Sequence, residues 1–439
     1  MPAIISNKNR IVAADYFADQ ISKIPTYVYI ADSGVWDNEP TPPSIKDSTK
    51  DRIMSFSDVI AIKRIQADDI VSVTRRINWT SSEVYDEYVD DMDLFNELNT
   101  ETQAFYDFYV LTTEFNVYKC LSNNNREPST TMPSGTSTEA FQTPDGYIWK
   151  FMYSLTSSDI FESLTQNFMP CYNKLYNDGS AQWQTQQATA KLTIDHVILT
   201  NSGANYSSSN PPTVTISGSG SGATAVAVID DVSSEVSKIL VTNRGSNYTT
   251  ATVSISGGSG VGATATAVIS PIDGHGSDAR NELGAHYLMI RVTLDSDEDS
   301  VIATDEEYRK VGIVTEPRKT ATGVRLSILN AEKFYVNDTV TQANTSATGV
   351  VSSINAPNGY LYLKTITGTF NASDTVSSNV SNVSTPLAVQ MNANLPFTES
   401  VIDSDDLVAL SGDLLYFSTR EVITRNALQN ESIRLIVTF

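Results

Sequence analysis

Cysteine is almost missing from this chain of 439 residues: there are two, Cys120 and Cys171. They match no CxxC spacing, so thiolate metal sites and a disulfide framework drop out. What remains is a pair of buried thiols or, at most, one disulfide. Histidine is as scarce, with His196, His275 and His286 too scattered along the chain to suggest a metal cluster. No apolar run reaches the ~18 residues that a membrane-crossing helix requires. The opening residues, MPAIISNKNRIVAADYF, lack the basic, then apolar, then small pattern of a secretory signal. The expectation is a soluble protein made in a cytoplasm. Positive charge is short as well, 29 basic against 51 acidic residues for a net charge of −22. Such a field repels phosphate backbones and anionic membranes, so neither nucleic acid nor membrane is an expected partner.

What is present is β-forming sequence. Asn7 to Lys23 carries a helical stripe that ends before Pro25, and Tyr27 to Ile30 reads as a strand. A rigid loop with Trp36, Pro40, Pro42 and Pro43 follows. A short helix ending near Phe56 leads into strand material, the third run of which holds Arg75, Arg76 and Trp79. Structural ion pairing is the plain reading of those two arginines; an interface anchor is the other. Phe108 to Leu121 alternates as one long strand, and Tyr147 to Leu155 alternates again. The polar loop between them, 122–143, is long for a compact domain and marks a functional or assembly loop. Ser411 to Phe439 ends on Ile433, Leu435, Ile436, Val437 and Phe439, so the C-terminus should pair with strands from near the N-terminus.

The middle holds an internal repeat. Ile198 to Ile229 and Ile239 to Ile269 share Gly-x-Asn-Tyr, then Thr-Val-x-Ile-Ser-Gly or a close variant, then Gly-Ala-Thr-Ala-x-Ala-Val-Ile, so that Asn205-Tyr206 recurs as Asn247-Tyr248. Each copy is three short β runs that cannot bury a face alone, so the two should pack together. The glycine-rich turns lack a GK[ST] ending and a following helix, which excludes a phosphate loop. Phe334 to Val389 reads as another compact β module.

Several motifs occur in a recognisable order: Trp36 to Pro43, Asp47-Ser48, Arg75-Arg76-Ile77-Asn78-Trp79, Val117 to Leu121, and Asp145 to Phe151. Tyr308 to Pro317, Ser411 to Tyr416 and Asn430 to Phe439 complete the set. Together these resemble the dimeric baseplate wedge protein of contractile-tailed, T-even-type phages, over about 1–180, 300–320 and 405–439. The resemblance implies a mainly β fold with some α: a discontinuous β-rich core body of 1–190, 273–325 and 393–439. Small all-β modules are inserted at 191–272 and 326–392. It further implies a structural protein rather than an enzyme, located in the virion tail baseplate after assembly in the host cytoplasm. Its partners would be a second copy of itself and other wedge proteins, with no cofactor and no small-molecule substrate. The candidate interface residues are Trp36, Pro42, Pro43, Arg75, Arg76 and Trp79.

Other constellations are weaker. Asp295, Asp297, Asp299 and Glu306 fit positions 1, 3, 5 and 12 of a calcium loop, but Ser300 stands where the turn needs glycine. Gly274 to Asp278 brings His, Ser and Asp together, yet neighbours in sequence rarely converge as a triad, so His275 reads as a polar loop residue. The rival function is a receptor- or glycan-binding tail protein with the repeats as its tips.

Overall fold

The computed structural model describes residues 5–92, 94, 106–295, 306–378, 380, 382–397, 399–403, 406–426 and 430–439. The protein is mainly β with a few helices, as the sequence implied. The acidic calcium-like stretch lies largely outside the described residues. The chain forms two compact units, one from Ala13–Val71 with Leu288–Val437, the other from Ser72–Tyr287 with the extreme ends of the chain.

The first unit is organised on the strand Thr26–Ala31, buried along its whole length. Its side chains alternate between two faces, as a pleated strand requires. Tyr27 and Tyr29 pack with Phe56, Ile62, Val314 and Phe397, whereas Val28 and Ile30 pack with Ile21, Ile313, Ile433 and Leu435. Val59–Arg64 pairs on one side of it and Glu307–Thr315 on the other. Asp413–Thr424 then pairs outside Glu307–Thr315, at the sheet edge. Strands distant in sequence thus share one sheet, but the last strand, Glu431–Thr438, pairs with Tyr287–Leu294 and not, as expected, with an N-terminal strand; it meets the N-terminal region through its apolar side chains.

The same unit carries a closed six-stranded barrel, in which Arg318–Ile328 pairs with both Tyr360–Thr367 and Val383–Pro396. Closure removes free edges. Alternation is strict along Ala347–Asn355, where every second residue faces in. The barrel spans Arg318–Pro396, wider at both ends than the 326–392 module read from sequence.

The second unit has an aromatic core. Asn116–Ser122 pairs with Ile148–Ser154, and Trp149 is stacked on Tyr147 at 5.4 Å with Tyr85 edge-on at 5.9 Å. Phe108 to Leu121 is not the single strand expected. Tyr109–Leu111 and Asn116–Ser122 form a hairpin, Leu111 opposite Val117, turning through Phe115 at φ 59°. Alternation survives a tight turn, so periodicity alone reads straight through it.

The repeats form a six-stranded sheet in the same unit. Strands exchange between copies: Ile194–Asn201 pairs with Thr264–Ile269 of the second copy, and Glu235–Ser246 with Ser221–Asp230 of the first. The two Thr-Val-x-Ile-Ser strands pair across a pseudo-two-fold, Thr213–Gly218 on Ala251–Ser256. Tyr206 and Tyr248 are both buried. A Cβ on Gly260 would sit 2.2 Å from the Tyr206 ring, and one on Gly220 would sit 2.6 Å from the Tyr248 ring. Each tyrosine therefore lies flat on a glycine of the other copy, which is why one copy cannot stand alone.

Candidate functional site

A second seam of the repeat module, between Ile194–Asn201 and Glu235–Ser246, differs from the first. Here the ladder registers one pair, Ile239 opposite Val197. Both strands carry a bulge before this seam. The register with Thr264–Ile269 slips across Asp195, and the register with Ser221–Asp230 slips across Ser237. A bulge re-aims its side chain. Asp195 and Ser237 are equivalent positions of the two copies.

Above the seam lies a cleft of about 930 Å³. Its floor is made of matched positions from both copies: Asp195 to Leu199 with Ser202, and Ser237 to Val241 with Arg244. Its walls are Asp86, Glu87, Val89 and Asp91, then Ser122 to Arg126, with Tyr106, Gln142, Gly146 and Ile148. The copies differ where chemistry is carried, with Asp195 against Ser237, His196 against Lys238 and Ser202 against Arg244.

A row of buried charges underlies the cleft. Lys119 Nζ lies 2.9 Å from Glu282 Oε2, both side chains almost without exposure. Glu282 Oε1 accepts hydrogen bonds from the backbone N–H groups of Gly276 at 2.8 Å and Asp278 at 3.2 Å. His275 bridges onward, its Nδ1 3.8 Å from Glu282 and its Nε2 3.3 Å from Asp195 Oδ1. Asp195 Oδ2 lies 3.1 Å from His196 Nδ1, and His196 Nε2 lies 3.9 Å from Glu87. Arg244 approaches Asp195 at 3.5 Å. The Tyr88 ring covers the row, with Lys119 Nζ 4.0 Å from its centroid and the His275 ring edge-on at 4.9 Å.

Burial would raise the Asp195 carboxyl, but the imidazoles of His275 and His196 hold it well below the usual carboxylate range. Burial likewise works against the charge on Glu282, and Lys119 overcomes it, keeping that carboxyl low. His196 is raised despite its burial because Asp195 favours the imidazolium. His275 is lowered, since burial and the nearby Lys119 charge outweigh the attraction of Asp195. The row therefore presents an ionised carboxylate and a readily protonated imidazole at the cleft floor. Among the described residues, no group of three His, Cys, Asp or Glu is placed to hold a metal ion.

The residues singled out from sequence lie elsewhere. Trp36 is half-buried and donates from Nε1 to the Arg420 carbonyl at 2.9 Å, and Thr419 Oγ1 donates to the Pro43 carbonyl at 2.8 Å. The arm bearing Trp36, Pro42 and Pro43 is thus tied to the edge strand Asp413–Thr424. Arg75 sits 3.9 Å from Asp107, and Arg76 donates to Asn78 and to the Thr165 carbonyl. Trp79 donates to Ser129 Oγ at 3.1 Å and packs on the aromatic core.

The 122–143 loop is pinned along its length, Tyr147 Oη donating to the Glu127 carbonyl, Tyr118 Oη to the Gly135 carbonyl and Phe141–Gln142 pairing with Ile148–Ser154, and one carboxylate gathers several of its donors. The Asp145 carboxylate accepts from Ser129 Oγ, the N–H groups of Thr130 and Thr131, and Thr143 Oγ1. Burial opposes its charge, but these donors keep the carboxyl below its ordinary range. Cys120 and Cys171 are free and buried. His275, read as a polar loop residue, is on a loop but buried within the charge row. Its partner Asp195 is far away in sequence, and only a position-by-position comparison of the two copies would have pointed to it. No family model and no curated protein sequence matches the chain.

Proposed function

We propose that this protein is a structural subunit of a contractile phage tail baseplate wedge, bridging neighbouring wedge subunits as a homodimer during assembly and contraction. The reading is carried by the ordered set of wedge-like motifs, three of which meet in one region of the first unit. The Tyr308 to Pro317 motif supplies the strand beside Thr26–Ala31, the Ser411 to Tyr416 motif begins the strand outside it, and the Trp36 to Pro43 arm is bonded to that outer strand. An arm held by backbone carbonyls loses little conformational freedom on meeting a partner, so it suits rigid bridging. The work lies in surfaces rather than in a reaction, and bistability belongs to the interfaces between subunits.

Sedimentation of the purified chain over a micromolar range tests the proposal. A mass of twice the chain is expected, with loss of partner binding when Trp36 and Pro43 are replaced by alanine. A chain that stays monomeric and captures no wedge protein overturns it.

A further inference from the structure

We propose that the cleft over the repeat seam is a binding site for an uncharged oligosaccharide. This goes beyond the structural role, and it is measured on the isolated chain, so its failure leaves the dimer test untouched.

The volume, about 930 Å³, lies near the top of the range for small-ligand sites, enough for more than one sugar ring. The lining decides the class of ligand. Asp86, Glu87 and Asp91 contribute carboxylates, with Asp195 buried beneath them, while Arg126, Lys238 and Arg244 contribute cations. A polyanion is repelled by the first group and a polycation by the second. A large apolar ligand would strip water from both without replacing its hydrogen bonds. A neutral polyhydroxyl compound donates to the carboxylates and accepts from the cations along its whole length, so it satisfies both without bringing a net charge into either group.

The floor of the cleft is fixed in advance of a ligand. The Asp195 carboxylate, whose side chain has no exposure, is locked between His275 Nε2 at 3.3 Å, Arg244 at 3.5 Å and His196 Nδ1 at 3.1 Å. That pairing fixes Arg244, 41% exposed, as a cation on the cleft floor that a ligand hydroxyl can reach. The rim is also built in advance. Asn124, Asn125 and Arg126 are consecutive left-handed residues at φ 52°, 62° and 64°. Such a run persists only where its surroundings over-determine it. Here Asn124 Nδ2 donates to the Asp145 carbonyl, Asn125 Nδ2 to the Ser237 carbonyl, and Arg126 N–H to Asn123 Oδ1. The floor offers Leu240, 42% exposed, for the C–H face of a sugar ring.

Saturation-transfer NMR on the full chain tests this with malto-, cello- and chito-oligosaccharides of about three to six rings and with bacterial surface glycan fragments on an array. At least one probe should bind saturably. Lys238→Ala, which removes a cation of the lining, and Leu240→Trp, which fills the cleft, should each weaken that binding at least tenfold with the melting temperature kept. Three outcomes would overturn the proposal: no binding by any probe at millimolar concentration, binding unchanged in both variants, or saturation of the cleft by charged peptides alone.

Discussion

Replacing Lys119 by methionine is the sharpest probe of the charge row. The ammonium lies 2.9 Å from Glu282, with side-chain exposures of 0% and 3%. Methionine keeps the length of the side chain but leaves Glu282 Oε2 without its ion-pair partner, while Oε1 retains the Gly276 and Asp278 amides. Removing one partner of a buried pair costs about 3–5 kcal/mol, most of it the desolvation of the abandoned charge. At about 2–4 °C per kcal/mol for a unit of this size, the melting point of the second unit should fall by roughly 10 °C. Two units can unfold in separate steps, so tryptophan fluorescence is the readout, because Trp149 is fully buried in the aromatic core of this unit.

The pH dependence makes the argument specific. In the native chain Glu282 is held below its ordinary value, so its contribution is present above about pH 4.5 and lost as pH falls. In the Lys119→Met chain burial is opposed only by His275 and by the Gly276 and Asp278 amides, so Glu282 rises and that chain gains relative stability on acidification. The deficit should therefore shrink between pH 7 and pH 5. The double variant Lys119→Met with Glu282→Leu should recover most of the loss. A single-variant cost under about 1 kcal/mol, or a deficit that does not change with pH, would refute the account of the row as a mutually neutralised network.

Two more predictions follow from the second unit. Tyr206→Ala and Tyr248→Ala should each cost about 3–5 kcal/mol and by similar amounts, since each ring covers an equivalent glycine of the other copy; urea unfolding checks this, and a large inequality would break the pseudo-two-fold account. His275 is lowered and His286 is pushed down to about 4, both by burial, so their contribution is present above about pH 6.5 and lost as pH falls, at about 1.4 kcal/mol per pH unit for each group. His196, which is raised, acts in the opposite sense. His275→Asn should flatten the acid limb of a melting-temperature profile between about pH 6.5 and 4.5, and an unaltered limb would count against the reading.

Much of the fold was legible from residue pattern. The helix Asn7–Lys23, the strand Thr26–Ala31 and the pairing of the repeats follow from periodicity and from self-similarity. The hairpin inside 108–121 was missed because a turn at Phe115 keeps the alternation of the strands on either side. The barrel limits were missed because Arg318–Ile328 looks like a continuation of the preceding strand until its pairing with Val383–Pro396 is seen.

Composition and local pattern by themselves determined that this is an acidic, mainly β chain whose twin Gly-x-Asn-Tyr segments must pack on each other. That much depends on short-range sterics and on which side chains avoid water. Only the tertiary structure decided that Asp195, His275, Glu282 and Lys119 form one buried row, and that matched positions of the two copies floor a cleft. The physical reason is that charge pairing and bulge direction depend on distances through space between residues far apart along the chain. A carboxylate at a bulge and an imidazole in a glycine turn look like solvated polar groups until folding removes the water between them.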